Sequence, residues 1–105
     1  MKYEYIKDKN ILDIKLNEEL DINSCANLRN VIDGYIIKYE PNEVIIDLSL
    51  VKFMDSCGIG LLIGRYNLIK MIDSKLVIIN PGNSIKKMIL LTNKLSDIEM
   101  REIYE

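Results

Sequence analysis

The architecture of this chain is set by residues 44–72, which are VIIDLSLVKFMDSCGIGLLIGRYNLIKMI. Val44–Leu48 is β-branched and almost continuously apolar, which is typical of a central, parallel strand covered on both faces. After an interruption, apolar residues return with the spacing of a helix face, at Ile59, Leu62, Ile63, Tyr66 and Ile69. We therefore predict a strand, a loop and a helix from about Cys57 to Ile72, with Asp55 or Ser56 as the N-terminal cap.

Length and charge limit the possible functions. The chain has 105 residues, enough to bury its own core, and we expect one domain over residues 1–105. It carries 14 basic and 16 acidic side chains with no extended Lys/Arg cluster, which argues against nucleic-acid binding. No apolar run approaches the roughly 20 residues of a membrane span. The N-terminus does not resemble a signal peptide, so we expect a cytoplasmic protein.

The sequence contains no His and two Cys, Cys25 and Cys57. Without His, Ser-His-Asp and Cys-His catalysis are excluded, and we expect neither a metal nor a cofactor. One hypothesis is a thiol sensor, because Cys57 at a helix N-terminus could have a lowered pKa and Cys25 opens the first helix. The alternative is that both cysteines are small packing residues.

The rest of the chain supplies shorter elements. They are strands at Tyr3–Lys7, Ile11–Leu16 and Leu76–Ile79, helices at Cys25–Tyr39 and Ile85–Leu91, and a short strand around Ile98–Arg101. The first two strands are separated by a polar turn and should form an antiparallel hairpin. Asn23 or Ser24 is the predicted cap of the first helix.

Together these elements give the order ββαβαβα(β) of an α/β fold. Helices between consecutive strands favour parallel pairing, so we predict a mixed sheet of four to five strands with one antiparallel edge. In such sheets the loops at the carboxyl ends of the strands form the usual site. Here these loops are Asn17–Asn23, Ser49–Cys57 and Asn80–Ser84.

Three glycines, Gly58, Gly60 and Gly64, follow the interruption. Their spacing matches neither the Rossmann fingerprint nor a P-loop, which disfavours nucleotide binding. Gly60 and Gly64 share a helix face, and each lowers helix stability by roughly 1 kcal/mol. We therefore interpret Gly60 and Gly64 as packing positions at which another part of the backbone approaches closely.

Ser56 has two interpretations that the sequence pattern leaves open. It either caps the helix, or it is a phosphoacceptor at a helix N-terminus, where free N–H groups and a partial positive charge suit a phosphate. A phosphate would add a charge of about −1.5 to −2 beside Asp55, and near Asp21 if the two loops share an edge. Repulsion could then disrupt a docking surface.

The segment Phe53–Tyr66, FMDSCGIGLLIGRY, resembles the signature of the bacterial anti-sigma factor antagonists, which are STAS-domain proteins. The resemblance is strongest to the sporulation type, stage II sporulation protein AA. Glu19-Leu20-Asp21 and Val44–Leu48 match as well, and the similarity extends over about the whole chain. It implies a STAS-type fold with a shortened C-terminal helix, because Arg101–Glu105 can supply barely one turn.

The resemblance also implies a switch that is not an enzyme. Family members bind an anti-sigma factor that is also a serine kinase, and so release a sigma factor. The kinase phosphorylates the serine that matches Ser56, which ends binding, and a PP2C-type phosphatase restores it. The partner-binding residues implied in this way are Asp21, Asp55, Ser56, Cys57, Gly58 and Ile59. An alternative is a STAS interaction module of another sensory or signalling assembly.

Overall fold

The computed structural model describes residues 1–95 and 97–103. The strands are β1 (Lys2–Ile6), β2 (Ile11–Lys15), β3 (Glu43–Asp47), β4 (Lys75–Ile79) and β5 (Glu99–Arg101). The helices are α1 (Cys25–Tyr39), α2 (Ser56–Met71) and α3 (Asn83–Leu91), and a 3₁₀ turn spans Asn93–Leu95. This order confirms the predicted ββαβαβα arrangement and the short fifth strand.

The strands pair into a mixed sheet in the order β1-β2-β3-β4-β5. β1 and β2 are antiparallel, and every later pair is parallel, which confirms the predicted antiparallel edge. Ile14, Ile46 and Ile78 lie side by side across the three middle strands and are fully buried. The apolar run of β3 thus corresponds to the central strand of the sheet.

The hydrophobic core lies between the sheet and the helices. The helices contribute Leu28, Ile32 and Ile36 from α1, Leu61, Leu62 and Ile69 from α2, and Ile85 and Ile89 from α3. On β2 and β3, buried aliphatic residues alternate with partly exposed ones such as Asp13 and Ile45, because the helices cover only one face of these strands fully. The prediction that the strand at Val44–Leu48 is covered on both faces was therefore wrong. The chain runs along a strand and returns through a helix, so the starts of α1 and α2 follow the carboxyl ends of β2 and β3.

Tyrosine stacking fastens the edge strand β1 to α1. The ring centroids of Tyr3 and Tyr35 are 4.0 Å apart, and those of Tyr5 and Tyr39 are 4.3 Å apart, with both pairs stacked. Such pairs contribute about 0.5–1.5 kcal/mol beyond the area they bury. The tyrosine pairs therefore hold the C-terminal part of α1 against the edge strand β1.

Several boundaries differ from the prediction. The helix α2 begins at Ser56, one residue earlier than predicted, and α3 begins at Asn83 instead of Ile85. The prediction of a shortened C-terminal helix over Arg101–Glu105 was wrong at Arg101, which belongs to β5. The last two residues, Tyr104 and Glu105, lie outside the described part of the chain.

Candidate functional site

Two loops at the carboxyl edge of the sheet are joined by a short parallel bridge. The N–H of Leu20 donates to the carbonyl of Phe53 at 3.0 Å, and the N–H of Asp55 donates to the carbonyl of Leu20 at 3.1 Å. Leu20 and Met54 pair in this bridge, and both are buried. Asp21 and Asp55, which follow them in the chain, are therefore brought to the same edge, as the strand order predicted.

Gly58 lets the Leu20–Met54 bridge pack against α2. A Cβ atom added at Gly58 would lie 2.1 Å from Cγ of Met54 and 2.9 Å from Cβ of Leu20, and both are overlaps. At Gly60 and Gly64, an added Cβ would meet nothing within 4 Å outside the backbone of α2. The packing interpretation of Gly60 and Gly64 was therefore wrong, because the close approach occurs at Gly58.

Asp55 caps α2, which confirms one of the two predicted caps. Its Oδ1 accepts a hydrogen bond from the N–H of Cys57 at 2.8 Å. Its carbonyl accepts from the N–H groups of Gly58, at 3.0 Å, and Ile59, at 3.3 Å. Three amides of the first turn already have acceptors, so this helix end has less capacity to hold a phosphate than its sequence suggested.

Ser56 is the first residue of α2, and it is exposed. It directly follows the capping carboxylate of Asp55, on the loop that is bridged to the segment carrying Asp21. Its hydroxyl is therefore accessible to a modifying enzyme in an environment with two nearby carboxylates. Any negative charge added there would be repelled by these carboxylates.

Asp21 is fixed by the start of α1. Its Oδ1 accepts from the N–H of Asn23 at 2.9 Å and from the N–H of Ser24 at 3.2 Å. Ser24 is the N-cap residue of α1, which confirms one of the two predicted positions, but its side chain makes no cap hydrogen bond. The carboxylate of Asp21 instead orders the turn that precedes the helix. The carboxylate of Asp21 therefore both orders the loop and gives the edge a negative charge.

Three exposed apolar side chains stand on the two bridged loops, and we call them the apolar rim. Ile22 is 76% exposed, Leu50 is 50% exposed and Phe53 is 49% exposed. Large apolar side chains grouped near charged residues are typical of protein contact surfaces. These three residues were not predicted as contact residues, although large apolar residues inside loops that follow buried strands can be seen in the sequence.

A reactive thiol needs a lowered pKa, but the pKa values of both cysteines are raised. Desolvation, followed by the negative charge of Asp55, raises the pKa of Cys57. Burial also raises the pKa of Cys25, although a hydrogen bond with Ser24 opposes this effect. The expected lowering of the pKa of Cys57 was therefore wrong, and both free thiols stay protonated at neutral pH.

The six predicted contact residues are placed differently relative to the surface. Ser56 is exposed, while Asp21, Asp55 and Cys57 are half-buried. Gly58 is buried beneath the Leu20–Met54 bridge, and Ile59 is half-buried against the core. The accessible part of the site thus consists of the serine, two carboxylates, one thiol and the adjacent apolar rim.

The part of the chain that the structure describes contains no cluster of three or more His, Cys, Asp or Glu side chains that could hold a metal ion. Within residues 1–95 and 97–103, no helix combines the length and apolar character needed to cross a membrane.

This mixed sheet with its helices and its bridged loops defines a STAS-type α/β domain. The chain belongs to the STAS domain family, whose model matches residues 2–105. It is similar to an anti-sigma F factor antagonist of Paenibacillus polymyxa, with 29% identity over 75 residues, which are 70% of this chain. The alignment spans 64% of that relative, so this chain covers less than two thirds of the relative's length.

Solved structures share the fold. The anti-sigma factor antagonist SpoIIAA in its unphosphorylated form has a TM-score of 0.81 and 23% identity, covering 99% of this chain and 88% of that one. The Bacillus cell fate determinant SpoIIAA in its phosphorylated form has a TM-score of 0.78 and 24% identity, covering 99% and 91%. The predicted STAS-type arrangement of strands and helices is thereby confirmed.

Proposed function

We propose that this chain is an anti-sigma factor antagonist that is switched off by phosphorylation of Ser56. It binds an anti-sigma factor that is also a serine kinase, and this binding releases a sigma factor. The observation that carries the proposal is the exposed hydroxyl of Ser56 at the start of α2, on a loop bridged to a second carboxylate-bearing loop. Family membership and the names of the relatives support the same function.

The docking surface in this proposal combines apolar contact with charge. The apolar rim supplies area that loses water on binding, and Asp21, Asp55 and Ser56 supply polar contacts beside it. Cys57 lies at the edge of this surface, while Gly58 and Ile59 shape it from below. The whole domain acts as one binding unit in the cytoplasm and catalyses no reaction itself.

The proposed switch acts through electrostatic repulsion. A phosphate on Ser56 adds a charge of about −1.5 to −2 next to the carboxylates of Asp55 and Asp21. The amides of Cys57, Gly58 and Ile59 already donate to Asp55, so they offer the phosphate fewer direct hydrogen bonds. The phosphate therefore opposes docking of the kinase, and removal of the phosphate by a PP2C-type phosphatase restores it.

Phosphorylation by the anti-sigma factor kinase of the same organism tests the acceptor assignment. The chain, its Ser56→Ala variant and its Ser49→Ala variant are incubated with this kinase and ATP, and phosphate incorporation is measured by intact-protein mass spectrometry. Ser49 is a matched control because it is also exposed, on the same β3–α2 loop. We expect one phosphate on the wild type and on Ser49→Ala, and none on Ser56→Ala. Phosphorylation of Ser56→Ala would contradict the assignment.

A STAS module of another sensory assembly would keep the fold and Ser56 but bind a different partner. Affinity purification with the tagged chain distinguishes the two functions by identifying the captured partner. The proposal expects a kinase-type anti-sigma factor among the captured proteins. Capture of other signalling proteins in its absence would favour the alternative.

A further inference from the structure

A groove of about 520 Å³ lies between α1 and α2, next to the carboxyl edge of the sheet. Small residues on both helices give it its width, with Ala26 on α1 and Gly60 and Gly64 on α2. Two arginines, Arg29 from α1 and Arg65 from α2, also line it. Two cations thus border the groove, and among the described residues no acidic side chain belongs to its lining.

Arg65 is unusual because it is charged, only 4% exposed and incompletely paired. Its Nε lies 2.6 Å from Oδ1 of Asp33, but the contact lacks hydrogen-bond geometry. Among the described residues, neither Nε nor Nη1 of Arg65 has a hydrogen-bond partner. Nε is nevertheless occupied by the ion pair with Asp33, so the unused capacity to bind an anion lies at Nη1, a buried donor without an acceptor.

The charge balance around the groove favours an anion as well. Desolvation lowers the pKa of Arg65; the carboxylate of Asp33 opposes this, and the nearby charge of Arg29 adds to it. Arg65 is thus paired with one carboxylate and lies near a second guanidinium. The carboxylates of Asp55 and Asp21 act on the opposite end of the groove, at Cys25 and Cys57. An added anion would reduce the repulsion between the two guanidinium groups, and the planar guanidinium matches phosphate and carboxylate oxygens well.

The glycines of α2 keep the groove open. A Cβ at Gly60 or Gly64 would meet nothing within 4 Å outside the backbone of α2, so no packing within the described chain requires them. Glycine at each position nevertheless lowers helix stability by roughly 1 kcal/mol relative to alanine. Open space beside two cations is consistent with a site that accommodates a ligand.

We propose that the α1–α2 groove binds a small dianion with phosphate or carboxylate oxygens, held by Arg29 and Arg65. This site goes beyond the proposed function, because it uses neither the hydroxyl of Ser56 nor the apolar rim. A ligand at Gly60 lies about one helical turn from Ser56, since the two residues are four positions apart in α2. An anion in the groove would therefore add negative charge near the phosphoacceptor.

Nuclear magnetic resonance titration of the full chain tests the site directly. Inorganic phosphate, pyrophosphate and succinate are added separately at constant ionic strength, with sodium chloride as the reference. We expect saturable shifts of the Arg65 Nε–H signal and of the Gly60 and Gly64 amides with at least one of the three anions. Saturation by the phosphates or by succinate identifies the ligand class. The absence of saturable shifts with all three would overturn the proposal.

Two variants with the same change in net charge distinguish binding of the anion in the groove from attraction to the overall charge of the protein. Arg29→Gln removes a groove cation, whereas Lys87→Gln removes an exposed cation on α3; both positions are exposed, so folding should be retained. We expect the anion dissociation constant to rise at least about tenfold in Arg29→Gln and to stay unchanged in Lys87→Gln. Equal affinities in the two variants would show that Arg29 does not hold the anion, which would overturn the proposed site.

Discussion

Gly58 and Gly60 lie two positions apart in α2 but have opposite surroundings. A methyl group at Gly58 would overlap Met54 and Leu20, whereas a methyl group at Gly60 would face open space. We predict that Gly58→Ala lowers the free energy of unfolding by about 1–3 kcal/mol, the usual cost of overpacking. Gly60→Ala should raise it by up to about 1 kcal/mol through helix propensity.

Urea denaturation of both variants measures these changes. Because each variant adds the same methyl group to the same helix, Gly60→Ala is the control for propensity alone. If Gly58→Ala is as stable as Gly60→Ala, the packing of the Leu20–Met54 bridge on α2 is not as described.

The carboxylate of Asp21 has a structural role that can be separated from its charge. Its Oδ1 accepts two backbone hydrogen bonds at the start of α1, and the amide oxygen of Asn can accept them equally well. We predict that Asp21→Ala lowers the free energy of unfolding by about 1 kcal/mol and that Asp21→Asn leaves it almost unchanged. Thermal unfolding compares the two variants, and equal losses of stability in both would show that the hydrogen bonds accepted by Asp21 do not order the turn before α1.

At the scale of elements, the strand, loop and helix of residues 44–72 could be predicted because their signals are local. The apolar run of β3 and the helical spacing of α2 depend only on neighbouring residues, and so does the cap at Asp55. The carboxyl-edge placement of Asp21 and Asp55 followed from strand order, and it was confirmed. The acceptor role of Ser56 stays a prediction.

Features that depend on contacts distant in the chain could not be predicted. Ser24 occupies the predicted cap position of α1, but its hydroxyl donates to the carbonyl of Glu19 and makes no cap hydrogen bond, because the loop folds back on itself. The roles of Gly58 and Gly60 depend on the side chains that pack against α2. The helical spacing of apolar residues does not identify those side chains.

Asp13 on β2 makes the stability of the fold depend on pH. Burial, followed by the negative charges of Asp47 and Glu4, raises the pKa of Asp13 above its usual value. Ionised Asp13 therefore destabilises the folded state above its folded pKa, and this penalty is lost as the pH falls toward the unfolded value. We predict that Asp13→Asn raises the free energy of unfolding at about pH 7, with a smaller gain at about pH 3.

Urea denaturation at both pH values checks this dependence. Asp8→Asn in the exposed β1–β2 turn serves as the control, because it removes one carboxylate without changing the sheet. A gain from Asp13→Asn that is equal at the two pH values would mean that ionisation of Asp13 is not its source.

At the scale of the whole molecule, the apolar rim should matter for binding. Phe53 is 49% exposed, so about half of its surface is free to contact a partner. We predict that Phe53→Ala weakens binding to the anti-sigma factor kinase by about tenfold or more, as expected of an aromatic contact residue. Leu91→Ala, which truncates a side chain that is 84% exposed at the end of α3, should leave the affinity unchanged.

Isothermal titration calorimetry compares these variants under identical conditions. Equal affinities of Phe53→Ala and Leu91→Ala would place the kinase contact away from the apolar rim.

The proposed switch requires that a phosphate on Ser56 ends binding to the anti-sigma factor kinase. Calorimetric titration of the anti-sigma factor kinase with the unmodified chain and with the chain phosphorylated at Ser56 tests it most directly. Repulsion from Asp55 and Asp21 predicts that the dissociation constant rises about a thousandfold or more, which corresponds to about 4 kcal/mol. Equal affinities of the two forms would contradict the account.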